Sequence, residues 1–499
     1  MPAIGLDGLG SASYGPEAAL TILMPLGAAS LAWVGWVMAP ILALLAVLYL
    51  SYRQTIVAYR SNGGAYTVSR ENLGRNASLL AAASLMVDYI LNVAVGISAG
   101  VGALTSSVPA LQPWTLPLCL AVLAVVTLAN LRGTPEAGWL FALPSYVFVV
   151  SFLGLVRGGL WNIAVTAGHP HPVVPPPSMV GATGAMSVWL FMRAFASGCT
   201  AMTGVEAVSN AVSAFKEPVV DQAHKTLTVI CLVLGILLAG IATVAHFYGL
   251  AAMDQTKADY QNVLSQLAAA IAGRGIIYYI AMTSLLAVLC LSANTSFVGF
   301  PLLCRIVAQD GYLPRSFAVA DRRLVFSVGI LVLTFTAGGL LILFGGITDR
   351  LIPLFAIGAF LTFSMSQIGM VRHWRREGQR DARRLAPGRK NAQRKVGRHP
   401  GQSEGTNSGN GPDRRTGLRG RVRRDGRRAG RGGFRRLVRR RLRLCPMICV
   451  GADGTSAGAS PVRRRVKASS RCKEGLCDIS SARGQFGPTA LLHWSATPR

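Results

Sequence analysis

Charge is scarce along the first 371 residues of this 499-residue chain, and that scarcity excludes most soluble folds. From Met1 to Val371 there are only 16 Lys and Arg and 13 Asp and Glu, too few to coat a globular surface of that length. No basic region or convincing cleavage site attends the first apolar run, so the N-terminus reads as a transmembrane helix, not a signal peptide. The chain also lacks a nucleophile–base spacing, a phosphate-cradling Gly-rich loop and a metal-ligand cluster, which argues against an enzyme. Cysteine is sparse. Cys119, Cys199, Cys231, Cys290 and Cys304 lie in or beside apolar runs and read as small packed hydrophobes, not disulfide partners. Cys445, Cys449, Cys472 and Cys477 are too irregularly spaced for a zinc site.

What is abundant is apolar sequence: 51% of residues are hydrophobic and mean hydropathy is +0.43. A membrane span needs about 20 mainly apolar residues. Ten segments qualify: 3–28, 31–52, 77–107, 113–131, 138–157, 186–213, 225–250, 274–299, 324–345 and 351–371. The loops after the second, fourth, sixth and eighth carry Arg53, Arg60, Arg70, Arg75, Arg132, Lys216, Lys225, Arg305, Arg315, Arg322 and Arg323. The opposite loops carry only Arg157, Lys257, Arg274 and Arg350. Because Lys and Arg stay on the cytoplasmic side, both termini are predicted to face the cytoplasm of a plasma membrane.

The ten segments divide into halves of five, about 1–157 and 186–371. Five is odd, so the second half enters the membrane from the opposite side, which is an inverted repeat. Each half opens on a span interrupted by small residues. The first reads Gly8-Leu9-Gly10-Ser11-Ala12-Ser13-Tyr14-Gly15-Pro16-Glu17 and the second Ser197-Gly198-Cys199-Thr200-Ala201-Met202-Thr203-Gly204-Val205-Glu206. Broken backbone in hydrocarbon is tolerable only beside protein or a water-filled cavity. Helices 1 and 6 are therefore expected to be discontinuous, with Gly10, Ser11, Gly15, Gly198, Cys199 and Gly204 supplying the break backbone of a substrate site. Pro16 would open the second half of helix 1, with Glu17 in its first turn.

In the third span Asp88, Asn92, Gly96 and Gly100 recur every four residues and form one helical stripe. The glycine pair reads as a close-packing contact. A carboxylate inside the bilayer is costly, so Asp88 is assigned a functional role. Glu206 is open to two readings, a capping box with Thr203 or an ion ligand. Asp7, near the chain start, is a ligand or merely solvated. Arg193, toward the outer end of the sixth span, is expected to snorkel to the headgroups rather than touch substrate.

Beyond Val371 the character changes: 34 Lys and Arg stand against 8 Asp and Glu. Residues 375–499 read as a disordered Arg/Gly-rich tail, and its patternless composition resembles an out-of-frame reading of GC-rich DNA. Its charge would suit anionic lipid or nucleic acid, though nucleic acid is not the favoured partner.

Several motifs resemble the amino acid/polyamine/organocation permease superfamily. They are Leu6-Asp7-Gly8-Leu9-Gly10-Ser11-Ala12-Ser13-Tyr14-Gly15-Pro16-Glu17, Asn62-Gly63-Gly64-Ala65-Tyr66-Thr67-Val68 and Glu71-Asn72-Leu73-Gly74. Asn130-Leu131-Arg132-Gly133, Ala194 to Glu206 and Ala293-Asn294-Thr295-Ser296-Phe297 belong with them. Within the superfamily they are most similar to the branch containing potassium–proton symporters, and the resemblance covers residues 1–374. It implies an all-α LeuT-type 5+5 inverted repeat with substrate between helices 1, 3, 6 and 8. It assigns substrate or ion roles to Asp7, Tyr14, Asp88, Tyr89, Thr203 and Glu206, with Asn92 alongside. Asn92 and Gly96 stand where the branch has hydroxyl residues, and Phe355 where it has Tyr. Members also carry a segment before helix 1 and usually two helices after helix 10, so a gene product truncated at both ends is expected. The resulting expectation is a secondary transporter in the lipid bilayer, taking up potassium or a small amino acid. It needs no cofactor beyond the coupling proton, and homodimerisation stays open. The alternatives are an amino acid permease proper and a transport-inactive membrane protein with a nucleic-acid- or lipid-binding tail.

Overall fold

The computed structural model describes residues 2–385 except 60–63, 133–137, 179–180, 211, 213–214, 216, 258 and 320–325. The expectations for the basic tail beyond residue 385 fall outside the described residues. So do Arg60, Asn62, Gly63, Gly133, Lys216, Arg322 and Arg323. All regular structure among the described residues is helical. The helices are α1 (Pro2–Leu23), α2 (Ser30–Ala58), α3 (Gly64–Asn72), α4 (Arg75–Ser107), α5 (Thr115–Arg132), α6 (Gly138–Val165) and α7 (Val188–Gly198). They continue with α8 (Ala207–Asn210), α9 (Val219–Tyr248), α10 (Val263–Ala272), α11 (Ile276–Gln309), α12 (Ser327–Phe344) and α13 (Thr348–Leu385).

Eight apolar stretches of the described residues are long enough to cross a membrane. The first of them, Asp7–Ala58, contains both α1 and α2. The predicted sixth span is divided between α7, a 3-10 turn at Cys199–Met202, and α8. Local chemistry sets the ends. Gly249 and Gly345 terminate α9 and α12 in left-handed conformation, at φ 71° and 69°. The Ser187 and Asn262 side chains cap α7 and α10 through the amides of Leu190 and Ser265.

Packing follows the small residues. A Cβ on Gly96 would lie 3.1 Å from the Leu289 carbonyl oxygen, and one on Gly100 would lie 3.1 Å from Cys290 Sγ. The G-x-x-x-G spacing of α4 thus seats it against α11, as expected. A hydroxyl side chain at position 96 has no room, which accounts for glycine there. Further contacts join α2 to α9, α5 to α12, and α1 to α7 and its 3-10 turn. Asn130 donates to Asn294 at 2.7 Å, so two of the motifs that carry the family resemblance meet between α5 and α11.

Two expectations need correction. Helix 1 is not discontinuous: α1 runs unbroken from Pro2 to Leu23 with Pro16 inside it. Gly10, Ser11 and Gly15 are therefore not break backbone. The small residues of α1 serve close approach instead. A Cβ on Gly15 would fall 2.2 Å from Ala201 Cβ, and one on Gly10 3.2 Å from Ser292 Cβ. Second, α13 continues to Leu385, so the first residues of the segment expected to be disordered from 375 are helical. In addition, the loop after α9 contains α10, a buried ten-residue apolar helix too short to register as a span.

Candidate functional site

The site is built where α1 crosses the broken helix. After α7 ends, the chain makes the 3-10 turn Cys199–Met202, extends at Thr203 and turns through Gly204 at φ +88°. Only glycine adopts that conformation at no steric cost. A Cβ there would also lie 2.4 Å from the Gly8 nitrogen. Of the predicted break residues, Gly204 makes the turn, while Gly198 closes α7 and Cys199 opens the 3-10 turn. Ser11 Oγ lies within 3.0 Å of three carbonyl oxygens, those of Gly8, Ala201 and Thr203. One hydroxyl hydrogen cannot serve three acceptors. The junction is therefore rich in oxygen and poor in donors.

Three carboxylates converge beside it. Asp7 from α1, Asp88 from α4 and Glu206 after the break are 7%, 4% and 6% exposed. Asp7 Oδ1, Asp88 Oδ1 and Glu206 Oε2 each lack a hydrogen-bond partner among the described residues. Glu206 and Asp7 both act electrostatically on Asp88. No Lys, Arg or His forms an ion pair with any of the three among the described residues. Buried carboxylates left in this state are expensive unless something positive joins them.

The other predicted residues surround this cluster. Tyr14 and Thr203 pair through their hydroxyls at 3.1 Å. Asn92 donates to Ser296 Oγ at 2.9 Å, and Asn92 and Thr295 both reach the Asp7 carboxylate. Tyr89 lies at the edge of the group, its ring against Gly299 and its hydroxyl toward Asn210. The capping box between Thr203 and Glu206 does not form. Thr203 Oγ1 turns back to the Thr200 carbonyl at 2.8 Å, and Glu206 instead faces its own amide and that of Gly204. Phe355 is fully buried on α13, its ring centroid 6.3 Å from that of Tyr14.

Sequence reading missed Tyr52 on α2. It is buried, its hydroxyl has no partner among the described residues, and Glu206 and Asp88 both act on it electrostatically. Nothing in its neighbourhood along the chain marks it. Thr295 and Ser296, which the sequence marks only as part of a motif, stand directly beside Asp7 and Asn92. A second polar group lies one step away from Tyr14. Ser13, Tyr14, Glu17, Tyr260, Asn262, Thr348 and Asp349 line a narrow cavity of about 10 Å³, room for about one water. Tyr260 closes it by donating to Glu17 Oε1 at 3.0 Å.

Comparison with known proteins identifies the family of the chain. The profile of the amino acid permease family matches residues 9–393. The potassium transporter KimA of Bacillus subtilis is 43% identical over 368 residues, which are 74% of this chain and 60% of that protein. A probable potassium transport system protein, Kup 1 of Ralstonia nicotianae, is 36% identical over 110 residues, 22% of this chain and 17% of its own. The Kup protein of Nitrosospira multiformis is 34% identical over 128 residues, 26% and 19% of the two chains. The match thus spans about three fifths of the length of KimA. Among solved structures, the nucleobase–cation symporter Mhp1 matches with a TM-score of 0.42 and 13% identity. That alignment covers 72% of this chain and 77% of Mhp1.

Proposed function

Because the chain belongs to the amino acid permease family, we propose that it carries potassium across the plasma membrane in symport with a proton. The observation that carries this reading is the trio of buried carboxylates, each with an unpartnered oxygen and none with a cationic side chain beside it among the described residues. A bare monovalent cation needs oxygen ligands to replace its hydration shell. Here three carboxylates, the Tyr14 and Thr203 hydroxyls and the surplus carbonyls near Ser11 are on hand. The similarity to a protein named as a potassium transporter supports the same choice. An amino acid would bring its own carboxylate into a site that already holds three, which disfavours it.

Like charges held this close resist being ionised together without a counter-ion. A proton on one carboxylate and a potassium ion held by the other two can occupy the pocket together, so both enter from one side and both leave on the other. That joint occupancy is a minimal symport mechanism. It uses the chain's own side chains and no cofactor.

The architecture we propose is the 5+5 inverted repeat. In its support, four helices of the first half touch their counterparts in the second: α1 with α7, α2 with α9, α4 with α11, and α5 with α12. Only one of the two lead helices is broken, so the second half alone supplies split-helix backbone. The termini face the cytoplasm in this reading. Uptake of rubidium and of labelled amino acids, measured in a transport-deficient bacterium at several pH values, tests it. Saturable rubidium uptake that rises as the outer pH falls is expected. Amino acid uptake without cation uptake would overturn it.

A further inference from the structure

Arg193 is the one charged residue between Met186 and Val205, and the site described above does not use it. It is exposed on α7, with no ion pair or hydrogen bond among the described residues. Beside it an open groove of about 470 Å³ runs between α1, α7 and α13. Ile22, Ala196, Ala356, Ile357 and Phe360 give it apolar walls, and Arg193 supplies the only charge among its described lining residues. The groove opens toward the bilayer: Ile357, which lines it, is 69% exposed on the flank of α13. Trp189 precedes Arg193 by one helical turn on the same face and is 72% exposed. Exposed Trp collects at the level of lipid headgroups. Side chains on a helix lean toward its N-terminus, so the guanidinium of Arg193 is carried toward the Trp189 level.

We propose that this groove is a binding site for an anionic phospholipid, with an acyl chain along the α1–α7–α13 groove and the phosphate on Arg193. Charge complementarity selects this occupant. A neutral hydrocarbon would fill the groove but leave an arginine unpaired at the edge of the apolar layer, which is costly. A small soluble anion would meet Arg193 but leave the apolar walls unused. The planar guanidinium can grip a phosphate through two parallel hydrogen bonds, which lysine cannot match. The lipid would rest on the helix that ends in the break at Cys199–Glu206, and so on the element that carries Thr203 and Glu206.

Native mass spectrometry of the full-length protein in detergent, offered phosphatidylglycerol and phosphatidylcholine of the same acyl composition, reads the preference directly. The wild type is expected to retain phosphatidylglycerol about fivefold more strongly, the factor that one basic side chain near a lipid surface confers. Arg193→Gln should abolish the preference, and Arg193→Lys should keep most of it. Ile357→Trp should lower the binding of both lipids by filling an exposed wall of the groove, with Arg193 intact. Each variant is first checked for monodisperse elution and wild-type melting, and Arg193→Lys serves if the glutamine variant fails that check, with phosphatidylglycerol held less tightly than by the wild type. An unchanged phosphatidylglycerol preference in Arg193→Gln would overturn the proposal. So would displacement of phosphatidylglycerol by millimolar inorganic phosphate, which would mark a site for free anions.

Discussion

Replacing Asp88 by asparagine keeps shape and volume while removing one charge from the carboxylate trio. Two consequences of opposite sign follow. In the loaded site, a carboxylate about 4 Å from a monovalent cation contributes about 4 kcal/mol at an effective dielectric of about 20. That corresponds to about a thousandfold in affinity, and partial compensation by Asp7 and Glu206 should reduce it to about a hundredfold. In the empty site the charge is a burden, because Asp88 is 4% exposed, has an unpartnered oxygen and lies in the field of Glu206 and Asp7. Asp88→Asn should therefore leave the cation-free protein at least as heat-stable as wild type while its stabilisation by added potassium disappears. Melting curves of purified protein titrated with potassium chloride, against choline chloride at matched ionic strength, measure both effects. Rubidium uptake in cells should fall in parallel. Wild-type potassium dependence in the variant, or a large loss of stability without potassium, would mean that Asp88 is structural and that the cation lies elsewhere.

Three further outcomes are expected. Phe355→Tyr places a hydroxyl near Tyr14, whose ring lies 6.3 Å away, and should lower the KM for rubidium several-fold. An unchanged KM in a well-folded variant would separate α13 from the site. Gly15→Leu should abolish accumulation of folded protein, because even a Cβ there would be 2.2 Å from Ala201 and overpacking costs about 1–3 kcal/mol or more. Gly35→Leu, with nothing within 4 Å of its Cβ position, is the control and should accumulate normally. Tyr260→Phe removes the hydrogen bond to Glu17 and with it a contribution of about 0.5–1.5 kcal/mol typical of an intramolecular hydrogen bond. If that bond latches the narrow cavity beside Tyr14, cysteine probes at Ser13 should react faster from outside in this variant than in wild type, and equal rates would refute the latch.

Much of this molecule was legible from composition and periodicity, because a bilayer enforces simple rules. Apolar length located the spans, and a four-residue repeat placed Asp88, Asn92, Gly96 and Gly100 on one face of α4. The break before Glu206 was legible too, since glycine, extended threonine and a carboxylate are poor company inside a continuous apolar helix. What the sequence could not decide was the use of each small residue. A glycine in an apolar helix serves equally for a break or for close approach, and the choice belongs to whatever packs against it. For Gly15 the neighbour is Ala201, and for Ser11 it is the Ala201 carbonyl, 190 positions along the chain. Tertiary contact alone kept α1 continuous, turned Thr203 toward Tyr14 instead of Glu206, and brought Tyr52 and Thr295 to the carboxylates. Local pattern sets which face of a helix is buried. Only the folded chain sets what that face meets, because partners distant in sequence leave no trace in the periodicity of either segment.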